Sequence, residues 1–209
     1  MGINATTLGY IHECLFLACD SIRFDGLEMC ELGDQTLKLE GWIERPKTRI
    51  LAKTYFDRMG FNHTSIDIHG EYGSVPFDLS KPITDEKYLN RFDVLTNLGT
   101  AEHVENQYEC FKNIHNLVKT GGIFIHIVPM SPWERKRKPS GIPYGAKNKH
   151  CNYYYKNRFA WHLCKANDYF PVSVKTFLMQ GTFGFCLKKI YDKEFRPSKE
   201  EVDSWIEKI

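Results

Sequence analysis

Gly26-Leu27-Glu28-Met29-Cys30-Glu31-Leu32-Gly33-Asp34-Gln35 is the stretch on which the reading of this chain turns. A short apolar run ends in an acidic residue and then a glycine, the pattern of a strand that stops in a tight loop. A glycine just past a strand lets the backbone turn sharply and approach a ligand that a β-carbon would hold off. Glu31 beside it can accept hydrogen bonds from an amine or a hydroxyl. Glu31-Leu32-Gly33 is a common tripeptide with a single loop glycine, so its meaning depends on what recurs downstream.

Downstream, short apolar runs alternate with segments of helical period, which predicts an α/β fold with a mainly parallel sheet. Residues 6–23 read as an opening helix with Leu8, Ile11, Leu15 and Ala18 on one face. Strands are expected at 27–32, 64–68, 74–77, 92–97 and 123–128, with helices at 48–59 and 104–118 between them. Gly60 suits a left-handed helix stop, and Thr120-Gly121-Gly122 ends the second helix. The run 123–128 is apolar except for His126, as a strand buried on both faces requires. A helix at 157–166 precedes a terminal antiparallel hairpin of 172–178 and 185–191. Ser198-Lys199-Glu200-Glu201 opens a last short helix with a capping box. Residues 130–150, rich in Pro, Gly, Lys and Arg, read as a loop or lid within one domain spanning 1–209.

A chain of 209 residues with 42% hydrophobic and 14% aromatic content can bury a core and is not of disordered type. Its net charge of +2 gives no electrostatic case for nucleic acid, and the one basic run, Arg135 to Lys138, reads as a solvated loop. Seven cysteines without a Cys-x-x-Cys pair suggest reduced thiols. No secretory leader and no membrane-length apolar stretch is seen, so a soluble cytoplasmic protein is expected. The oligomeric state stays open.

In this order the pieces resemble the class I S-adenosylmethionine-dependent methyltransferases, over roughly residues 27–191. Glu31-Leu32-Gly33 looks like the first motif of that family. Asp67 in Ser65-Ile66-Asp67-Ile68 matches its ribose-binding acid, and Asp78 in Val75-Pro76-Phe77-Asp78-Leu79 its residue near the adenine amino group. Asp93 to Val104 matches the fourth-strand motif, including the ending Glu102-His103-Val104. The resemblance implies a Rossmann-like open sheet of seven strands, the last antiparallel, with helices on both faces. It implies S-adenosyl-L-methionine as cofactor, held by Glu31, Gly33, Asp34, Gln35, Asp67, Ile68, Asp78, Leu79, Asn97, Leu98 and Gly99. Two departures stand out: Gln35 and Leu37 occupy the other glycine positions, and the connection from Gln35 to the next helix is long.

Methyl transfer to a hydroxyl needs a base and a dry, in-line approach. His103, His126 and His150 are the candidate bases, with Glu102 beside the first. Glu102 and His103 also resemble positions that help hold a divalent cation in some ubiquinone-pathway methyltransferases. Trp133, Tyr144 and Tyr153 to Tyr155 bracket the expected acceptor pocket. The expected activity is O-methylation of a small molecule or a sugar or glycan. The alternatives are N-methylation of a small molecule or nucleic acid, a nicotinamide dehydrogenase, and a partner subunit that binds the cofactor without activity of its own.

Overall fold

The computed structural model describes residues 2–19, 24–38, 50–132, 151–177 and 181–209. Its elements begin with β1 (Gly2–Asn4), α1 (Ala5–Ala18), β2 (Glu28–Leu32), β3 (Thr36–Lys38), α2 (Ala52–Arg58), β4 (Asn62–Ile66) and β5 (Phe92–Leu98). They continue with α3 (Gln107–Leu117), β6 (Val118–Pro129), β7 (Tyr153–Tyr155), α4 (Phe159–Asn167), β8 (Phe170–Phe177), β9 (Thr182–Lys188), α5 (Lys199–Ser204) and β10 (Ile206–Lys208).

The main sheet has the order β4-β2-β5-β6-β9-β8. The first four strands are parallel, and β9 runs antiparallel to both of its neighbours. This is the α/β, Rossmann-like architecture with a reversed last strand. Successive side chains on each strand go to opposite faces, and the register lines them into rows. Met29, Val94 and Ile123 share one row and Cys30, Leu95 and Phe124 the next. The first row packs with Ile11 and Leu15 of α1 and Phe56 of α2. The second packs with Phe111 of α3 and Phe159 and Leu163 of α4. Burial on both faces is why β5 and β6 read as nearly continuous apolar runs.

Six strands form this sheet among the described residues, not the seven expected. At 74–77 only Val75 bridges to β4, its N–H donating to Ser65 O at 2.8 Å and its C=O accepting the Asp67 N–H at 3.1 Å. Pro76 follows and has no N–H with which to extend the ladder. The long connection after Gln35 holds an unforeseen strand: β3 pairs parallel with β1, and 39–49 lie outside the described residues. The Tyr153-Tyr154-Tyr155 run is likewise a strand, antiparallel to β10 and buried. Helix α3 starts later than expected, because Ala101–His103 forms a separate 3-10 turn and Asn106 caps the helix by accepting the Glu109 N–H. The Ser198–Glu201 capping box is present with both of its hydrogen bonds.

From β2 the chain moves outward to β4 and then returns to β5 on the other side of β2. The loops after β2 and β5 therefore part at a topological switch point, where an open α/β sheet leaves a crevice.

Candidate active site

A cleft of about 540 Å3 opens at that switch point, in the size range of small-ligand sites. Three strand ends build it. After β2, Gly33 adopts φ +78°, a region that favours glycine. A β-carbon there would also lie 2.5 Å from Thr100 Oγ1. The Gly33 N–H donates to Ile66 O at 2.7 Å, tying the loop to the end of β4. On the other side Thr100 Oγ1 donates to Leu32 O at 2.7 Å, tying it to the loop after β5.

Asp67 is the first residue beyond β4. Its Oδ2 accepts the Asp34 N–H at 3.2 Å and its Oδ1 accepts the His69 N–H at 3.0 Å. One carboxylate thus locks two loops, and its second lone pairs remain for a diol. Asp78 sits in an Asx turn: Oδ1 accepts from the Ser80 N–H at 3.0 Å and the Ser80 hydroxyl at 2.6 Å. These bonds, with Lys81 at 3.2 Å, hold its carboxyl below the usual range.

Of the residues expected to bind cofactor, Gly33, Asp34, Gln35, Asp67, Ile68, Asp78, Leu79 and Gly99 line the cleft. Ile68 is exposed there and Phe77 half-buried, giving apolar surface beside the acids. Glu31, Asn97 and Leu98 do not line it; all three are buried beneath. Asn97 is a brace: its Oδ1 accepts the Ala101 and Thr100 N–H groups, and its Nδ2 donates to His126 Nδ1 at 3.1 Å. Thr100, His69, Phe77, Ser80, Val104 and Glu105 also line the cleft without having been singled out in the sequence. Asp78-Leu79-Ser80, an Asx-turn pattern, was a local signal for Ser80.

Glu31 is fully buried, and neither carboxylate oxygen has a hydrogen-bond partner among the described residues. Burial pushes it up to about 8, although the nearby Gln35 N–H, without reaching hydrogen-bond geometry, draws it down. His63 Nε2 lies 3.6 Å from Glu31 Oε2, and burial pushes that imidazole down to about 4. Both groups are driven to their neutral forms, so this is an acid against an imidazole and not an ion pair.

The expected bases separate. His103 is exposed on the cleft wall. His126 stands in the core instead, 1% exposed, stacked on Phe185 at 4.5 Å and held by burial at about 3. His150, with Trp133, Tyr144 and the basic run, lies outside the described residues. Glu102 is fully buried with both oxygens unpartnered, and burial raises it to about 7. Glu102 and His103 face different surroundings, and among the described residues no group of three or more His, Cys, Asp or Glu is placed to hold a metal ion. The 101–105 turn is braced from outside: the Asn152 N–H donates to Glu102 O and its side chain to His103 O, while the Tyr153 hydroxyl donates to Glu105 O.

Residues 41–170, more than half of the chain, match the family model of a methyltransferase domain. The chain belongs to that family. Solved structures share the fold of this methyltransferase at low identity. The geranyl diphosphate C-methyltransferase of Streptomyces coelicolor A3(2), solved with Mg2+, geranyl diphosphate and S-adenosyl-L-homocysteine, is 12% identical. It aligns over 88% of this chain and 81% of its own, with a TM-score of 0.55. The N-methyltransferase NodS of Bradyrhizobium japonicum WM9, solved with S-adenosyl-L-homocysteine, is 11% identical over 90% and 89%, with a TM-score of 0.50. The 1,6-didemethyltoxoflavin-N1-methyltransferase of Burkholderia thailandensis, with its substrate and S-adenosylhomocysteine, is 14% identical over 80% and 72%, with a TM-score of 0.50. No curated protein matches the chain. Among the described residues no helix is long and apolar enough to cross a membrane, and Cys14, Cys30, Cys110, Cys164 and Cys186 are free thiols.

Proposed function

We propose that the whole chain is one methyltransferase domain that binds S-adenosyl-L-methionine in this cleft and methylates a hydroxyl of a small molecule or sugar. The observation that carries the reading is the lining: Asp34, Asp67, Asp78 and Glu105 are present, with no Lys or Arg among the described lining residues. Such a cleft suits a ligand bearing a sulfonium and an ammonium group and repels a phosphorylated one. Asp67 faces the ribose hydroxyls, Asp78 the adenine amine, and Ile68 and Phe77 the base. The cradle at Gly33 fits the chain that joins nucleoside to amino acid, and Glu31 lies under that end. When bound, the cofactor supplies an electrophilic methyl group. His103, on the wall of the same cleft, takes the proton from the acceptor oxygen as it attacks.

The acidic lining also favours a second reading, transfer to an amine nitrogen. Incubation with methyl-labelled cofactor and matched panels of hydroxyl- and amine-bearing acceptors separates the two. Under the first reading, label enters the hydroxyl panel and His103→Ala lowers kcat at least 100-fold with cofactor affinity kept. Label confined to amines moves the assignment to nitrogen. Tight S-adenosylhomocysteine binding with no transfer to either panel marks a non-catalytic binding subunit.

A further inference from the structure

Resting on the cofactor reading above, we infer that His63 is a positioning residue that donates a hydrogen bond to Glu31 once the ammonium end of the ligand has docked. The two residues stand on adjacent parallel strands, where Glu31 is in register with Ser65 and Met29 with His63. Their side chains therefore share one face of the sheet, one step apart. Nε2 and Oε2 approach to 3.6 Å, and the side chains are 0% and 1% exposed. None of their four polar atoms has a hydrogen-bond partner among the described residues. Thr96 Oγ1, in register with Glu31 on β5, and Gln35 Oε1 are unpartnered as well. Buried polar atoms are nearly always bonded, so a knot of unmet ones that reaches the cleft at Gln35 marks a place that something else completes. Half of these six atoms are carboxylate or amide oxygens, which accept hydrogen bonds only, and an ammonium group supplies the donors they lack.

The ring of His63 is fixed for its part. It stacks on Phe56 with centroids 5.8 Å apart and planes 3° from parallel. The charged and titratable neighbours are few. Lys53 on α2 acts with burial to keep His63 neutral. Asp34 in the loop acts with burial to keep Glu31 protonated, and Cys30 on β2 adjoins Glu31 as a neutral thiol. In the free protein near pH 7 the acid is therefore protonated beside a neutral imidazole. When an ammonium group docks, the Glu31 O–H bond breaks, its proton leaves to solvent, and the carboxylate remains among donors: the ligand, the nearby Gln35 N–H, and His63 Nε2–H drawn in from 3.6 Å.

The test is calorimetric titration of S-adenosylhomocysteine from pH 6 to 9 into the wild type, His63→Phe and His63→Gln. Below about pH 8 the wild-type Kd should weaken about tenfold per pH unit. His63→Phe keeps the stack and loses the donor, so its break moves upward: affinity falls about tenfold at pH 7 and recovers toward wild type at pH 9. His63→Gln, which can still donate, keeps the wild-type profile. Methylthioadenosine, which lacks the amino-acid end, should bind all three proteins alike at every pH. Titration of the wild type in two buffers of different ionisation enthalpy should show about one proton released at pH 7. An unchanged profile in His63→Phe, an equal loss at all pH values, or no proton release overturns the role of His63 while leaving the cofactor reading intact. Failure of the wild type to bind S-adenosylhomocysteine at any pH removes the cofactor reading and this inference with it.

Discussion

Replacing Glu102 by glutamine should make the protein more stable, by an amount that grows as pH rises from about 4.5 to about 7. The carboxyl is wholly buried, neither oxygen has a partner, and burial lifts it from 4.5 to about 7. Cys110 on α3 and Tyr155 on β7 face it, and neither relieves an ionised carboxylate. The folded protein therefore keeps this proton to higher pH than the unfolded chain does. Stability is undiminished below the unfolded value and is lost as pH rises, with the full penalty in place above about 7. At about 1.4 kcal/mol for each tenfold, the ionised form costs the fold roughly 3 kcal/mol. Glu102→Gln never ionises and has nearly the same shape. Urea and thermal unfolding at pH 4, 6.5 and 8.5 should show almost no difference at the first and a gain of roughly 3 kcal/mol at the last. For a chain of this size that is on the order of 6–12 °C in Tm. A gain independent of pH, or a loss at pH 8.5, would refute the picture of an unpaired buried acid. A gain coupled to lost turnover would show that the strain is kept for function.

Gly33→Ala places a β-carbon 2.5 Å from Thr100 Oγ1 at φ +78°, so S-adenosylhomocysteine affinity should fall at least tenfold by calorimetry. Adding Thr100→Ala should restore part of it; the backbone cost of about 1 kcal/mol, the 3.0 Å approach to Gln35 Nε2 and the lost Thr100–Leu32 hydrogen bond remain. His126→Phe keeps the stack on Phe185 but strands the Asn97 Nδ2 donor, so about 1–2 kcal/mol of stability should go with the pH profile of turnover unmoved. A lost alkaline or acid limb in that profile would return His126 to the chemistry. Lys189 is buried and donates to Asn90 Oδ1, His115 O and Val118 O. Lys189→Met leaves all three acceptors bare and should cost about 3 kcal/mol in urea unfolding. The β6–β9 pairing beside it should open first in hydrogen exchange.

The cleft was legible in the sequence where local chemistry makes it. Gly33, Asp67, Asp78 and Gly99 stand at the ends of β2, β4 and β5 or in the adjoining loops, and those ends are set by apolar runs and turn residues within a few positions of each. Two errors in the sheet have equally local causes. Val75 looked like part of a strand because it is one residue of a strand, and Pro76 is what stops it. Residues 36–38 were passed over because a three-residue parallel strand has no periodicity to detect, and its partner lies at the other end of α1.

The histidines show what a sequence does not carry. His126, His103 and His63 each lie on or just after a parallel strand, and nothing in the flanking residues tells a catalytic imidazole from a packed one. Parity and position along the strand decide it. His126 is in register with Asn97 and with Phe185 of β9, three strands that bury it from both sides. His103 lies beyond the end of β5, where the sheet has stopped and the cleft begins. His63 carries no local signal, because its neighbour Glu31 is 32 positions earlier and only the β2–β4 register brings the two together. The acid of the first motif is thus visible from local residues, whereas the imidazole packed beside it depends on a pairing between strands that only the fold supplies.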